Sequence, residues 1–380
     1  MVPVARPWLG PQEASAVARV LRSGWVTQGP EVEAFEREFA SAVGARHACA
    51  VSSGTAALQV ALETVGVGPG TEVVTASQSF IATANSILAC GAVPVFVDVE
   101  PEGLNLDPAL VDRLITPRTR AILCVHQLGM PCDLWRLAGL ARRRGVALIE
   151  DAACALGSEV RWRGRWERVG RPHGDIACFS FHPRKLVTTG DGGMLTTARR
   201  DWDRRFRLLR HHGMSVSDAS RHRALGLVLE EFVVPGYNFR LTDIQAAVGR
   251  IQLQRLPRLL ASRRRLAEVY GRSLGGIDGL GLPRESEGTR SNWQSYCILM
   301  PPGIDRDRFL RRALEAGLSM RRGVMCAHRE PAYRDVPWKS GSLSRSERSQ
   351  DRGVILPLYY GLTRKDQNRV IHFVRKECGA

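Results

Sequence analysis

Apolar and polar positions alternate between two periods along most of this chain. Between residues 12 and 245, stretches with apolar residues every three or four positions are separated by apolar runs of four to six residues. The first kind reads as helix and the second as buried strand. The pattern predicts helices over Pro11–Leu21, Val32–Val43, Ala56–Val65, Ser79–Ala89, Pro108–Leu114 and Leu134–Arg144. It predicts seven strands: Ala48–Val51, Glu72–Thr75, Val93–Val97, Ala121–Val125, Val146–Ile149, Ile176–Phe181 and Gly193–Thr197. Short strands alternating with helices imply an α/β architecture, with a mostly parallel seven-stranded sheet flanked by helices. From Thr242 to Tyr270 the pattern is one long helix, expected to break near Pro257. Beyond it come a strand (Gln294–Met300), a helix (Arg306–Ala316) and a final helix (Arg364–Lys376). The polar segment Lys339–Arg352 reads as a mobile loop. The expected division is a large domain over residues 1–245 and a smaller C-terminal α+β domain over residues 246–380.

Ligands of such sheets bind beyond the carboxyl ends of the strands. Three strand ends stand out. Ala48–Val51 runs into Ser52-Ser53-Gly54-Thr55 and then a helix. Small residues and free N–H groups at a helix start suit a phosphate, although Ser and Thr are also ordinary helix caps. Val146–Ile149 ends in Glu150-Asp151-Ala152-Ala153. A carboxylate there needs compensation; it could be a metal ligand, a cap or the partner of a cationic heterocycle. The third is Ser180-Phe181-His182, followed by Lys185 and the turn Thr188-Thr189-Gly190-Asp191-Gly192-Gly193.

Composition sharpens the third. The 380 residues carry 54 Lys plus Arg against 38 Asp plus Glu, a net charge of +16. Only four of the 54 are lysines, and Lys185 is the only one in the first 338 residues. Arginine stays charged and forms no Schiff base, whereas a desolvated lysine can attack a carbonyl. A phosphate nest, a carboxylate for a pyridinium nitrogen and a Schiff-base lysine are together what pyridoxal phosphate requires.

Charge is uneven. Residues 1–150 are net −2 and residues 151–380 net +18. A basic half can mean nucleic acid, an anionic surface or a phosphorylated ligand; an arginine-rich codon usage is the plainer cause. No RNA-binding, zinc-finger or helix-turn-helix pattern occurs, and aromatics make up 7%, which argues against a nucleic-acid partner. The most apolar run, Ile81–Val97, is interrupted by Gly91 and Pro94, so no membrane span is expected. Nine scattered cysteines without a C-x-x-C pair, and no signal-peptide pattern, point to reduced thiols, no metal and a cytoplasmic location.

The strings SSGTAAL (52–58), GAVPVFVDV (91–99), IEDAACALGS (149–158), GDIACFSFHPRK (174–185), TTGDGGM (188–194) and GYNFRLTDIQAA (236–247) resemble the DegT-type sugar aminotransferase family. The likeness runs essentially end to end. It implies the fold-type-I architecture of pyridoxal-phosphate enzymes, with pyridoxamine phosphate as the intermediate form. By resemblance, Lys185 is the catalytic lysine and Asp151 the partner of the ring nitrogen. Ser53, Gly54, Thr55 and Ser180 contact the phosphate. Phe80 stacks on the ring, and Ala153 packs behind it. Asn238 reaches the cofactor phosphate of the partner copy, which implies a homodimer with shared active sites. His328, and His182 beside Lys185, fall on the substrate side. Cys154 stands where many members have Gln. The implied reaction moves an amino group from glutamate or glutamine to a nucleotide-linked keto-sugar, such as a 4-keto-6-deoxy hexose. A keto-cyclitol acceptor is the alternative. A class of relatives with histidine in place of the lysine dehydrates sugars, which Lys185 argues against. A non-catalytic regulatory protein is the remaining reading.

Overall fold

The computed structural model describes residues 1–216 and 229–379. All seven expected strands form. They are β1 (His47–Val51), β2 (Glu72–Ala76), β3 (Val93–Val97), β4 (Thr119–Val125), β5 (Ala147–Asp151), and, after a short hairpin of β6 (Glu159–Trp162) and β7 (Arg165–Arg168), β8 (Ile176–Ser180) and β9 (Gly193–Thr197). They line up as β1-β9-β8-β5-β4-β2-β3. Only β9 runs against the others. The carboxyl ends of β1, β8, β5, β4 and β2 therefore share one edge, and the start of β9 joins them there.

Apolar side chains cover both sheet faces. One face packs Val74, Ile122, Leu148 and Phe179 against helices Pro30–Val43, Leu134–Arg144 and the long helix, through Phe35, Phe39, Leu137 and Leu256. The other packs Val73, Leu123, Ile149 and Leu195 against helices Gly54–Thr64 and Arg200–Leu209. At about 25 cal/mol per Å² of apolar surface, this burial is the main term holding the sheet. A separate core joins Val2, Tyr270, Tyr296, Ile298, Phe309, Val354 and Phe373 around the antiparallel strands Tyr296–Leu299, Gly353–Leu356 and Arg321–Arg322.

Two expectations are corrected. The segment Lys339–Arg352 is not a loop. Lys339–Ser340 pairs with Val95–Phe96 as an eighth strand at the edge of the main sheet, and Ser344–Arg352 is a helix. Asp98 caps that helix, accepting from Arg345 N at 3.0 Å and Ser346 N at 2.8 Å. The face turned inward carries Ser346 and Ser349, so an apolar period could not reveal it. Nor does the long helix break at Pro257: it runs from Asp243 to Leu274. An interior proline costs about 3 kcal/mol. Leu253, Leu256, Leu259 and Leu260, buried around that point, offset the cost.

Candidate active site

Each of the three strand ends delivers its residues to the shared edge. Ser53 caps helix Gly54–Thr64, its hydroxyl accepting from Ala56 N at 3.1 Å. The first N–H groups of a helix lack intrahelical acceptors, so those of Gly54 and Thr55 can turn to a ligand. Ser180 packs so close that a Cβ on Gly54 would lie 2.7 Å from the Ser180 Cβ. A Cβ on Gly193 would lie 2.3 Å from the Ser53 carbonyl oxygen. Only glycine fits at either position. The result is a tight cradle of N–H and hydroxyl groups at a positive helix end. This fits a phosphate.

Asp151 ends β5 and is 5% exposed. Thr83 Oγ1 donates to its Oδ2 at 2.8 Å, and Ala153 N to its Oδ1 at 3.1 Å. Ser79 Oγ in turn lies 2.7 Å from Thr83 Oγ1. Burial pushes the Asp151 carboxyl above its usual range, and these two hydrogen bonds and the charges of Lys185 and His126 do not restore it. A buried carboxylate this short of partners has room for one more donor. A protonated ring nitrogen is such a donor, so the residues present fit pyridoxal phosphate.

Lys185 sits in the turn after β8, held by its own N–H to His182 O at 2.8 Å. Its Nζ reaches Cys154 Sγ at 3.0 Å. Cys154 is half-buried and thus faces the lysine amine at the place where a longer amide was the alternative. Ala153 lies between Asp151 and Cys154, also half-buried. Burial, then the charge of Arg184, holds the His182 imidazole below its ordinary value; it remains uncharged at neutral pH.

The remaining expected residues lie farther out. Phe80, 63% exposed, stands at the entry to helix Ala82–Ala89. Asn238 is exposed on a segment tied to the cradle by Ser52 N to Phe239 O at 2.8 Å. His328 is nearly enclosed. Its Nδ1 lies 2.6 Å from Ser77 Oγ and its Nε2 3.1 Å from Glu347. It links the end of β2 to helix Ser344–Arg352.

Sequence reasoning missed Thr83, which stands in the first turn of helix Ala82–Ala89, with Ser79 in the segment leading into it. It also left Glu150 without a role. Alternation turns Glu150 to the opposite sheet face from Asp151, where it meets His126 Nε2 at 3.1 Å and Gly174 N at 2.8 Å. Among the described residues no group of three or more His, Cys, Asp or Glu could hold a metal, and no helix is long and apolar enough to cross a membrane.

The family model for the DegT/DnrJ/EryC1/StrS aminotransferase family matches residues 7–375. The aminotransferase TlmJ from Streptoalloteichus hindustanus is 36% identical, with 100% of this chain and 99% of that chain covered and a TM-score of 0.90. DesV of S. venezuelae, solved in complex with a ketimine intermediate, is 37% identical over 97% of this chain and 94% of its own, with a TM-score of 0.87. The sugar aminotransferase CalS13 from Micromonospora echinospora is 30% identical over 99% and 100%, with a TM-score of 0.88. The chain belongs to the DegT/DnrJ/EryC1/StrS aminotransferase family, whose members depend on pyridoxal phosphate.

Proposed function

We propose that this enzyme transfers the amino group of glutamate or glutamine to the keto carbon of a nucleotide-linked sugar, a 4-keto-6-deoxy hexose. The observation that carries the reading is the meeting of Lys185, Asp151 and the Gly54–Ser180 cradle at one sheet edge. Similarity to a sugar aminotransferase supports the acceptor class.

When bound, pyridoxal phosphate supplies an aldehyde that carries the amino group and a ring that takes up the electrons of a broken C–H bond. The rest falls to the chain. The N–H groups of Gly54 and Thr55 and the hydroxyls of Ser53 and Ser180 hold the phosphate. Asp151 keeps the ring nitrogen protonated. Phe80 covers one ring face, and the small Ala153 leaves space at the other. Lys185 Nζ, once free, takes the α-proton of the donor and returns it one carbon away, acting in turn as base and acid. His182 and His328 lie toward the sugar. Asn238 of one copy reaches the phosphate held by the other, so the working unit is a homodimer with shared active sites. The exposed Asn238 and Phe80 are consistent with a second copy covering this edge.

The test is a panel. Protein loaded with pyridoxal phosphate is mixed with glutamate or glutamine and with nucleotide-linked keto-sugars or keto-cyclitols, and the products are weighed by mass spectrometry. Amination of a keto-sugar is the expected result. Exclusive amination of a cyclitol would overturn the substrate, and full transamination by Lys185→Ala would overturn the site.

A further inference from the structure

Behind the site lies a strap of four residues. Residues Ser291–Gln294 come from the C-terminal half, and Ser291, Asn292 and Gln294 are buried. Asn292 Nδ2 donates to the carbonyls of Cys154 and Leu156, both at 2.9 Å. Gln294 Nε2 donates to the carbonyl of Arg184 at 2.6 Å. The strap thus grips Cys154 and Arg184, the residue before Lys185, and it is the side chains of Cys154 and Lys185 that meet at 3.0 Å. Asn292 Oδ1 accepts from Gln294 N at 2.8 Å, which joins the two grips into one unit.

The strap is itself held. Ser158 Oγ accepts from Asn292 N at 3.0 Å and donates to Gly129 O at 2.7 Å; Ser291 Oγ donates to the same carbonyl at 3.0 Å. Gly129 has φ +98°, and a Cβ there would lie 2.0 Å from Asn292 Oδ1. Trp293 adopts φ +53°, a strained conformation for a non-glycine residue. From the other side Arg263, 4% exposed, donates to the carbonyls of Trp293 and Gln294 at 3.1 and 2.7 Å. Among the described residues no carboxylate pairs with it, and burial lowers its pKa to about 10. A buried cation spent on two carbonyls is an expensive way to hold a loop unless the loop's position matters.

We propose that Asn292 and Gln294 are positioning residues that set Lys185 against Cys154 and the Asp151 carboxylate, with Arg263 fixing the strap that carries them. This rests on Lys185 being the lysine that binds the cofactor. The general cost of misplacing a reacting group by about 1 Å is on the order of 100-fold in rate. Gln294→Glu keeps the shape and removes the donor; Gln294→His keeps an N–H donor. In the loaded enzyme, Gln294→Glu is expected to lower kcat about 10- to 100-fold with KM little changed. It should also shift the pH midpoint of the visible band of lysine-bound cofactor and slow cofactor uptake by the cofactor-free protein. Gln294→His should restore all three. Asn292→Asp tests the other grip in the same way, should Gln294→Glu fail to fold. A variant that melts earlier yet keeps the pH midpoint, uptake rate and kcat would reduce the strap to a structural part and overturn the proposal. Lys185→Ala separates the two readings: if it keeps the visible band, the lysine assignment fails, whatever the strap does.

Discussion

Two acid–base clusters lie at similar depth in this sheet and are built to opposite ends. Glu36, on helix Pro30–Val43, is buried and surrounded. Arg210 donates to its Oε1, Arg207 donates to its Oε2 at 2.9 Å, and Ala50 N donates at 2.9 Å. Burial raises its pKa, but the two guanidiniums and the backbone donor outweigh burial and hold it below the usual carboxylate range. Among the described residues Asp151 has one hydroxyl and one N–H donor, no directly bonded cation, and a raised pKa. A saturated cluster closes a core; an under-supplied one at a strand end marks where a ligand completes the set.

That contrast is tested first where it is widest. Lys185→Ala removes the amine at the open cluster. Transamination is expected to fall by about 10⁴-fold, the top of the range for a general acid–base group, and the visible band of the loaded protein to vanish, while the melting curve moves little. Arg210→Met attacks the closed cluster instead. It strands a buried Glu36 charge, and stability should drop by about 3–5 kcal/mol in a denaturant titration, with the activity of the folded fraction unchanged. Adding Glu36→Gln to Arg210→Met should recover part of that loss. Asp151→Asn comes third: catalysis should fall by about 10²–10³-fold, the scale of one lost electrostatic contact to the reacting group. Equal sensitivity of stability to Arg210→Met and Lys185→Ala would erase the distinction.

The parts legible in the sequence share one physical cause. Strands β1 to β5, β8 and β9 are continuous apolar runs buried on both faces, so composition alone exposes them. The cradle and Lys185 were legible because they sit directly beyond such runs. The strap Ser291–Gln294 was not. Its Asn292 and Gln294 act on carbonyls of Cys154, Leu156 and Arg184, more than 100 positions away, and no local period encodes that. The helix Ser344–Arg352 hid behind buried serines and a cap supplied by Asp98. Codon usage or an anionic substrate does not account for every arginine. Several of them tie separate elements together: Arg210 to Glu36, Arg255 to Glu13 and Arg263 to the strap in the interior, and Arg250 to Glu31 and Glu38 nearer the surface. A guanidinium's five fixed donors suit such work better than an ammonium.

The finest test of the comparison is the dependence of stability on pH without cofactor. The folded pKa of Asp151 lies above its unfolded value of about 3.8. Between the two, the folded state binds more protons than the unfolded one, so stability falls as pH rises through that window and stays lower above it. Asp151→Asn removes this penalty. The cofactor-free variant should therefore be more stable than the parent at pH 7, and its advantage should shrink as pH drops toward 3.8. Glu36 has the opposite sign. Its folded pKa lies below the unfolded value of about 4.5, so its contribution is present above 4.5 and is lost as pH falls through the folded pKa. Glu36→Gln should be less stable than the parent at pH 7, and the gap should close only below pH 4.5. Denaturant midpoints of the three proteins at several pH values read both trends. Parallel curves would mean that the two carboxylates are equally well supplied. Crossing trends would show that the chain gives up stability at Asp151 to keep a place for a donor it does not itself provide.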